Sequence, residues 1–493
     1  MRRLVHITLM ILTVALLLLP LIQNYTGWIE MRPLAGVSIK TAKPTLTFKS
    51  VKSMEYQTDL EQYLSENIGF KEPMTRFYNQ YLWDFYRKTY SKEVAIGKND
   101  WLYFNFNVDE YYGKEMYRWV ESTEKAVERF TKQLRILNKL KGVLNSYGID
   151  FLIFTSPDKA SIYPQFLPEK EFDTTTIHAY DFYRDAFEAM GFPYIDMNAW
   201  FKKMQDTLDY PAIPQTSAHW IFPAVYAADS LFRFMAEMKD ITMPRIIIGE
   251  RQQNSELTLG TIRDLEQLLN LSRKIKIDEN LYYERRVDVV EDTNAIKTNA
   301  LFIGNSYFFA INQYIDLGKI FSDPRYWFYN MTEYYGERLQ SNRPIDEVDR
   351  LSAIINSDYI VWFTDNAQMY KVSYGFAEDA LFRLCVSDSL WADQVAKTMD
   401  SRGISQAEAE EILRNDIELI DGLGGDAIPT IRNTEGIVRA QMEYRAQTLA
   451  EKWRHDPDIM NIVINQAKEN NMDIEEQLLI DARWFVNTNN NEE

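Results

Sequence analysis

LFIGNSYFF, Leu301 to Phe309, is an apolar run, a Gly-Asn turn and a serine entering a helix-compatible segment. That order reads as strand, turn and helix. Gly304 lets the chain bend tightly. A serine so placed gains exposure, the positive end of a helix and neighbouring N–H donors for an oxyanion. Strand–turn–helix nucleophiles share this logic. An N-cap serine prefers the same position for ordinary structural reasons. On this segment alone both readings of Ser306 stand.

Working outward, strands and helices alternate. Val127, Phe130, Leu134, Leu137, Leu140 and Leu144 recur at helical spacing, and IDFLIFTSP follows as a short apolar strand stopped by Pro157. IHAYDFYRDAFEAMG reads as a helix and FPYIDM as a strand. WIFPAVYAADSLFRFMAEM and YFFAINQYID are helical, and DYIVWFTD is another buried strand. This alternation predicts an α/β fold, a parallel sheet flanked by helices on both faces. Chemistry then gathers at the carboxyl ends of the strands, near Ser156, Asp196, Ser306 and Thr364.

Composition limits the chemistry. The chain has 493 residues, 46% hydrophobic, with one cysteine and four histidines. Cys385 alone excludes an internal disulfide framework or a multi-cysteine metal site. Without an HExxH or paired-histidine motif, no metal site is expected, and no cofactor fold is visible. The net charge is −18, of which residues 386–493 hold −12, from 22 acidic and 10 basic side chains. Nucleic acid is therefore not an expected partner.

Arg2 and Arg3 precede an apolar run from Leu4 to Ile22, close to the ~20 residues that cross a bilayer. The charge lies on the side expected to stay cytoplasmic, and no A-x-A cleavage site closes the run. The expected organisation is a single-pass transmembrane anchor over 1–28, a stalk and helical lead-in over 29–90, the α/β domain over 91–385, and an acidic helical region over 386–493. The bulk of the chain faces the exported, periplasmic side. In the tail, Val395–Ile412 and Val463–Ile480 align as helix, cap, helix, with Ser405 and Asp473 as N-caps. The terminal NTNNNEE is expected to be disordered.

Lys159 follows a strand end in SPDKASIYP and is a candidate for binding an acceptor in the cleft. Asp365 and Asn366, after the last strand, are candidates for the same rim. Tyr103 and Trp220 are candidates for stacking on sugars, whereas Trp362 reads as core.

The segments NIGFKEP…YNQYLW, GKNDWLYF, SPDKASIYPQFLP, TSAHW…AADSL, FIGNSYFF and DYIVWFTDNAQMY occur in an order that resembles alginate O-acetyltransferase-like proteins. These are SGNH-hydrolase-like exported proteins that O-acetylate polysaccharides. The resemblance covers roughly residues 60–375. It implies an SGNH-hydrolase-like sheet, Ser306 as nucleophile and His219 as base. Of the other histidines, His6 lies in the anchor, His178 at a helix start and His455 in the tail. Asn305 stands where the family often has Asp. Ser217 stands where the triad Asp is expected, and position 216 is Thr, so no local carboxylate orients the imidazole. Ser217, Gly304 and Asn305 are the candidate orienting or oxyanion-hole residues. A Ser–His dyad remains, its Nδ1–H held by a backbone carbonyl or a distant acid. The resemblance further implies a polysaccharide acceptor and a membrane-bound O-acyltransferase as acetyl donor. A carbohydrate esterase and a catalytically inactive glycan-binding or assembly subunit are the alternatives; the missing Asp favours the second.

Overall fold

A computed structural model describes residues 2–36, 41–114, 117, 121–173, 175–290, 293–385, 388–414, 446, 449–450, 453–454, 456–470 and 472–489. Its strands are β1 (Val94–Ile96), β2 (Leu102–Phe104), β3 (Asp150–Thr155), β4 (Tyr194–Asp196), β5 (Arg245–Gln252) and β6 (Glu284–Val290). They continue with β7 (Thr298–Gly304), β8 (Phe321–Phe328), β9 (Thr332–Tyr335), β10 (Ser341–Pro344) and β11 (Tyr359–Thr364).

Seven of them form one sheet in the order β10-β9-β8-β7-β11-β3-β4. The centre, β8-β7-β11-β3-β4, is parallel, and β9 and β10 add an antiparallel edge. Side chains of the central strands alternate between two cores, as strand geometry requires. Val361 and Phe363 of β11, Phe302 of β7 and Leu152 and Phe154 of β3 enter one core. Ile360, Trp362, Leu301, Ile303, Phe151 and Ile153 enter the other. Helix Ala224–Lys239 covers the first face; helices Thr123–Ser146, Ala179–Met190 and Phe376–Cys385 cover the second. Burial on both faces is why these strands read as continuous apolar runs. The fold is α/β with a mostly parallel sheet flanked by helices, as the alternation of strands and helices predicts.

GKNDWLYF, expected as a turn entering a strand, is the turn and second strand of the β1–β2 hairpin. A separate antiparallel pair, β5–β6, lies between helix Ala224–Lys239 and β7, and the connection between its two strands carries helices Glu256–Thr261 and Asp264–Leu268.

Among the described residues one helix is long and apolar enough to cross a membrane: Val5–Thr26, mean hydropathy 2.6, with none of its most apolar 18-residue stretch buried. In the tail, helices Asp388–Arg402 and Gln406–Arg414 flank Ser405, whose hydroxyl accepts from the Glu408 amide. Helices Pro457–Asn470 and Ile474–Asn489 flank Asp473, which accepts from the Glu475 and Glu476 amides. The last helix runs to Asn489, so the start of NTNNNEE is helical, not disordered. Residues 490–493 and His455 lie outside the described residues.

Candidate active site

Gly304 ends β7 against β11. A Cβ there would lie 2.6 Å from the Phe363 carbonyl oxygen, so close strand approach, not a bend, reserves this position for glycine. Asn305 follows, fully buried. Its Oδ1 accepts from the Tyr307 amide at 3.2 Å and its Nδ2 donates to Asp365 Oδ2 at 2.5 Å. It braces the turn from beneath, and its amide is not presented to an oxyanion.

Ser306 comes next, with its Oγ 2.7 Å from His219 Nε2. The helix that follows, Phe308–Tyr314, has no side-chain cap. The capping reading of Ser306 therefore does not hold.

His219 Nδ1 lies 2.5 Å from Asp264 Oδ2. Asp264 Oδ1 also accepts from the Ala218 amide at 2.8 Å, so the carboxylate grips both the ring and the backbone of the same loop. With Nδ1–H donated to Asp264, Nε2 is left to accept from the Ser306 hydroxyl; the hydrogen-bond pattern assigns this tautomer. The distant acid left open for the dyad is Asp264, first residue of helix Asp264–Leu268 and 45 positions beyond His219. The two loops are laced together around this contact. Thr216 Oγ1 donates to Ile262 O at 2.7 Å, and the Glu266 amide donates to Thr216 O at 3.3 Å.

Several candidates have other work. The Ser217 hydroxyl accepts from the His219 amide and donates to the His219 carbonyl, each at 3.0 Å. It closes its own turn and does not touch the imidazole. Lys159 does not line the cleft. It is 2% exposed, and its Nζ lies 2.6, 2.7, 3.0 and 2.6 Å from the carbonyls of Leu102, Pro214, Gln215 and Ser217, which share its three N–H donors. The rings of Trp101 and Tyr103 flank it at 5.0 and 5.1 Å. Burial pushes this amine well below its ordinary range. Lys159 thus clamps the Pro214–Ser217 turn that leads into His219. Lys159→Met leaves four carbonyls short of a donor, at a cost of about 3 kcal/mol. The expected result is a lower urea midpoint accompanied by lower turnover. An unchanged midpoint contradicts the clamp.

Asp365 and Asn366 are buried behind the nucleophile turn rather than on the rim. Tyr103 and Trp220 are fully buried and unavailable for stacking, and Trp362 is core as expected. Asp365 accepts from Asn305 and from the Gln368 amide. Burial, with the nearby Glu110 carboxylate adding to it, pushes Asp365 up to about 7. Folding then raises its proton affinity, so its contribution to stability falls as pH rises from about 4 to about 7. Asp365→Asn is expected to narrow the difference in urea midpoint between about pH 5 and about pH 8. An unaltered difference contradicts this.

Ser306 and His219 open into a cleft of about 1030 Å³. Phe104, Phe106, Tyr307, Tyr329 and Tyr370 give it aromatic walls; Glu121 and Arg129, paired at 2.7 Å, mark one part of its lining. The Tyr329 hydroxyl stands beside that of Ser306 and accepts from Gln368 Nε2 at 3.5 Å. Tyr329 has φ 51°, and its amide donates to Gly304 O at 2.7 Å. A left-handed tyrosine is costly, and such costs cluster at functional sites.

Residues 94–306 match the family described as "SGNH hydrolase-like domain, acetyltransferase AlgX". This segment is similar to the SGNH hydrolase-like acetyltransferase domains of that family. The match runs from β1 through His219 and Asp264 to Ser306. Among solved structures, the O-acetyltransferase domain of Pseudomonas putida AlgJ is 14% identical, with 56% of this chain and 92% of that one covered and a TM-score of 0.35. Pseudomonas aeruginosa AlgX is 12% identical, covering 58% and 65%, TM-score 0.34. Bacillus cereus PatB1 is 12% identical, covering 57% and 98%, TM-score 0.34. A curated relative, the ditrans,polycis-undecaprenyl-diphosphate synthase of Francisella tularensis, is 25% identical over 161 residues, 31% of this chain. The chain spans about half that relative's length, 55%.

Proposed function

We propose that this chain transfers acetyl groups to hydroxyls of an exported polysaccharide through an acetyl-Ser306 intermediate. The Asp264–His219–Ser306 relay at the floor of an aromatic cleft carries the reading. His219 Nε2 takes the Ser306 proton as Oγ attacks the acetyl carbonyl of the donor. The bond to the donor's leaving group breaks, and His219 returns the proton to that group. In the second half a sugar hydroxyl gives its proton to His219 and takes the acetyl from Ser306. Asp264 holds the ring and stabilises the imidazolium formed in each half.

The Tyr329 hydroxyl is the side-chain donor best placed for the oxyanion. Tyr329→Phe is expected to lower kcat about 100-fold with little change in KM, the effect of removing one such donor. A kcat within about twofold of wild type contradicts that role.

The aromatic walls suit the apolar faces of sugar rings. The cleft lining sets Arg129 and Lys371 against Glu121 and Glu378, so it holds no excess of positive charge and the site favours an acceptor without dense negative charge. A helix of the length of Val5–Thr26 suits a single-pass anchor that keeps the body on the periplasmic side, within reach of a membrane-bound O-acyltransferase as acetyl donor. The inactive-subunit reading drew on a missing acid, and Asp264 removes that support. The esterase reading differs only in the second acceptor. With an activated acetyl ester as donor, adding a neutral oligosaccharide is expected to divert acetyl from water to sugar. Release of free acetate alone, at every oligosaccharide concentration, assigns an esterase instead.

A further inference from the structure

Helix Lys71–Tyr86 has two opposed faces. Asn79, Gln80 and Trp83 are buried against the body. There Asn79 Nδ2 donates to Leu269 O, and Gln80 Oε1 accepts from the Arg273 amide, both at 2.9 Å. On the opposite side Met74, Phe77, Tyr78, Tyr81 and Phe85 recur at three- and four-residue spacing, within about 100° of arc. They stand in the open: Phe77 is 75% and Phe85 72% exposed. Single exposed aromatics are ordinary, but a continuous stripe of five large side chains marks an interaction surface.

Three contacts fix where this stripe lies. Gly69, just before the helix, packs on the end of Val5–Thr26, where a Cβ would meet Pro20 O at 2.1 Å and Gln23 Cβ at 2.9 Å. Arg76 donates to the carbonyls of Arg32 and Pro33 at 2.9 and 2.7 Å, clipping the segment that leaves the apolar helix. Ala35 and Asn270 exchange hydrogen bonds at 2.7 and 3.0 Å. That last contact joins the same segment to the end of the helix bearing Asp264. The stripe therefore begins where the apolar helix ends. Tyr25 and Trp28, both exposed, lie at the same level.

We propose that the Met74–Phe85 stripe rests on the lipid surface of the bilayer crossed by Val5–Thr26 and holds the Ser306 cleft at a fixed height above it. The inference rests on the reading of that helix as an anchor. Phe and Met provide the apolar contact, the Tyr hydroxyls stay at headgroup level, and Lys71 and Lys88 flank the stripe near the phosphates. A body held this way meets a membrane-delivered acetyl group without a search through solution.

The test uses the full chain with Cys385→Ser and one new cysteine: Phe77→Cys, Phe85→Cys or, on exposed edge strand β10, Asn342→Cys. Each carries an NBD label and is reconstituted in phosphatidylcholine nanodiscs with or without spin-labelled lipid. The labels at 77 and 85 are expected to be blue-shifted and to lose most of their emission to spin-labelled lipid, while the label at 342 keeps its own. Equal emission at all three sites leaves a protein as the occupant and overturns the lipid assignment. Protein washed from the discs by high salt overturns it as well, through the anchor reading. No turnover enters the readout, so failure of the acetyltransfer reading shows separately, as full quenching with no activity.

Discussion

Ser306→Ala is expected to lower hydrolysis of an activated acetyl ester by about 10⁵-fold while leaving the urea midpoint near that of wild type. The hydroxyl is partly exposed at the cleft floor and makes one short contact, with His219 Nε2 at 2.7 Å. Losing it opens no core cavity, so stability changes little. His219→Ala is expected to cost about as much, and the double variant no more than either single one, because the groups act as a unit. Residual activity within about tenfold of wild type in Ser306→Ala would place the acyl group elsewhere.

Asp264→Asn carries the second large effect. The asparagine keeps the size of the side chain and can still accept from the Ala218 amide through its oxygen. Its NH₂ then faces His219 Nδ1, which must become an acceptor, and the ring proton moves to Nε2. Nε2 no longer accepts from Ser306. A loss of about 10⁴ in kcat is expected, with KM little changed. Ser217→Asn, at the position where the resemblance implies an acid, is expected to disturb only the turn it closes. A drop in kcat below about tenfold for Asp264→Asn means that the imidazole is oriented by something else.

Legibility in the sequence followed physical locality. β3, β7 and β11 are buried on both faces, so each reads as an unbroken apolar run between turn signals. The edge of the sheet does not. β8 carries Asp323 and Pro324 inside it, and β9 and β10 have four residues each, one of them Pro344. Exposed, short strands with proline lack a period to count. The β5–β6 pair is only partly buried and equally silent.

The site divides in the same way. Ser306 and His219 sit in short local motifs, and the structure brings them together. Asp264 lies between two leucine-containing helical turns with no motif around it, and its role is set by a loop contact across 45 residues. Its one sequence signal is an acid at the start of a helical turn, shared with many ordinary helices. Lys159 misled for a related reason. Lysine is rarely buried, so a loop lysine after a strand end reads as open to the cleft. The four carbonyls around its ammonium come from two separate segments of chain, Leu102 and the Pro214–Ser217 turn.

The most direct measurement is intact-protein mass spectrometry after rapid acid quench of the enzyme with an activated acetyl donor, followed by peptide mapping. The expected result is one added acetyl group on Ser306, absent in Ser306→Ala, and lost on adding an oligosaccharide acceptor as the sugar gains the acetyl. Acetyl ester turnover with no covalent acetyl on Ser306 in the wild type at any quench time would contradict the account.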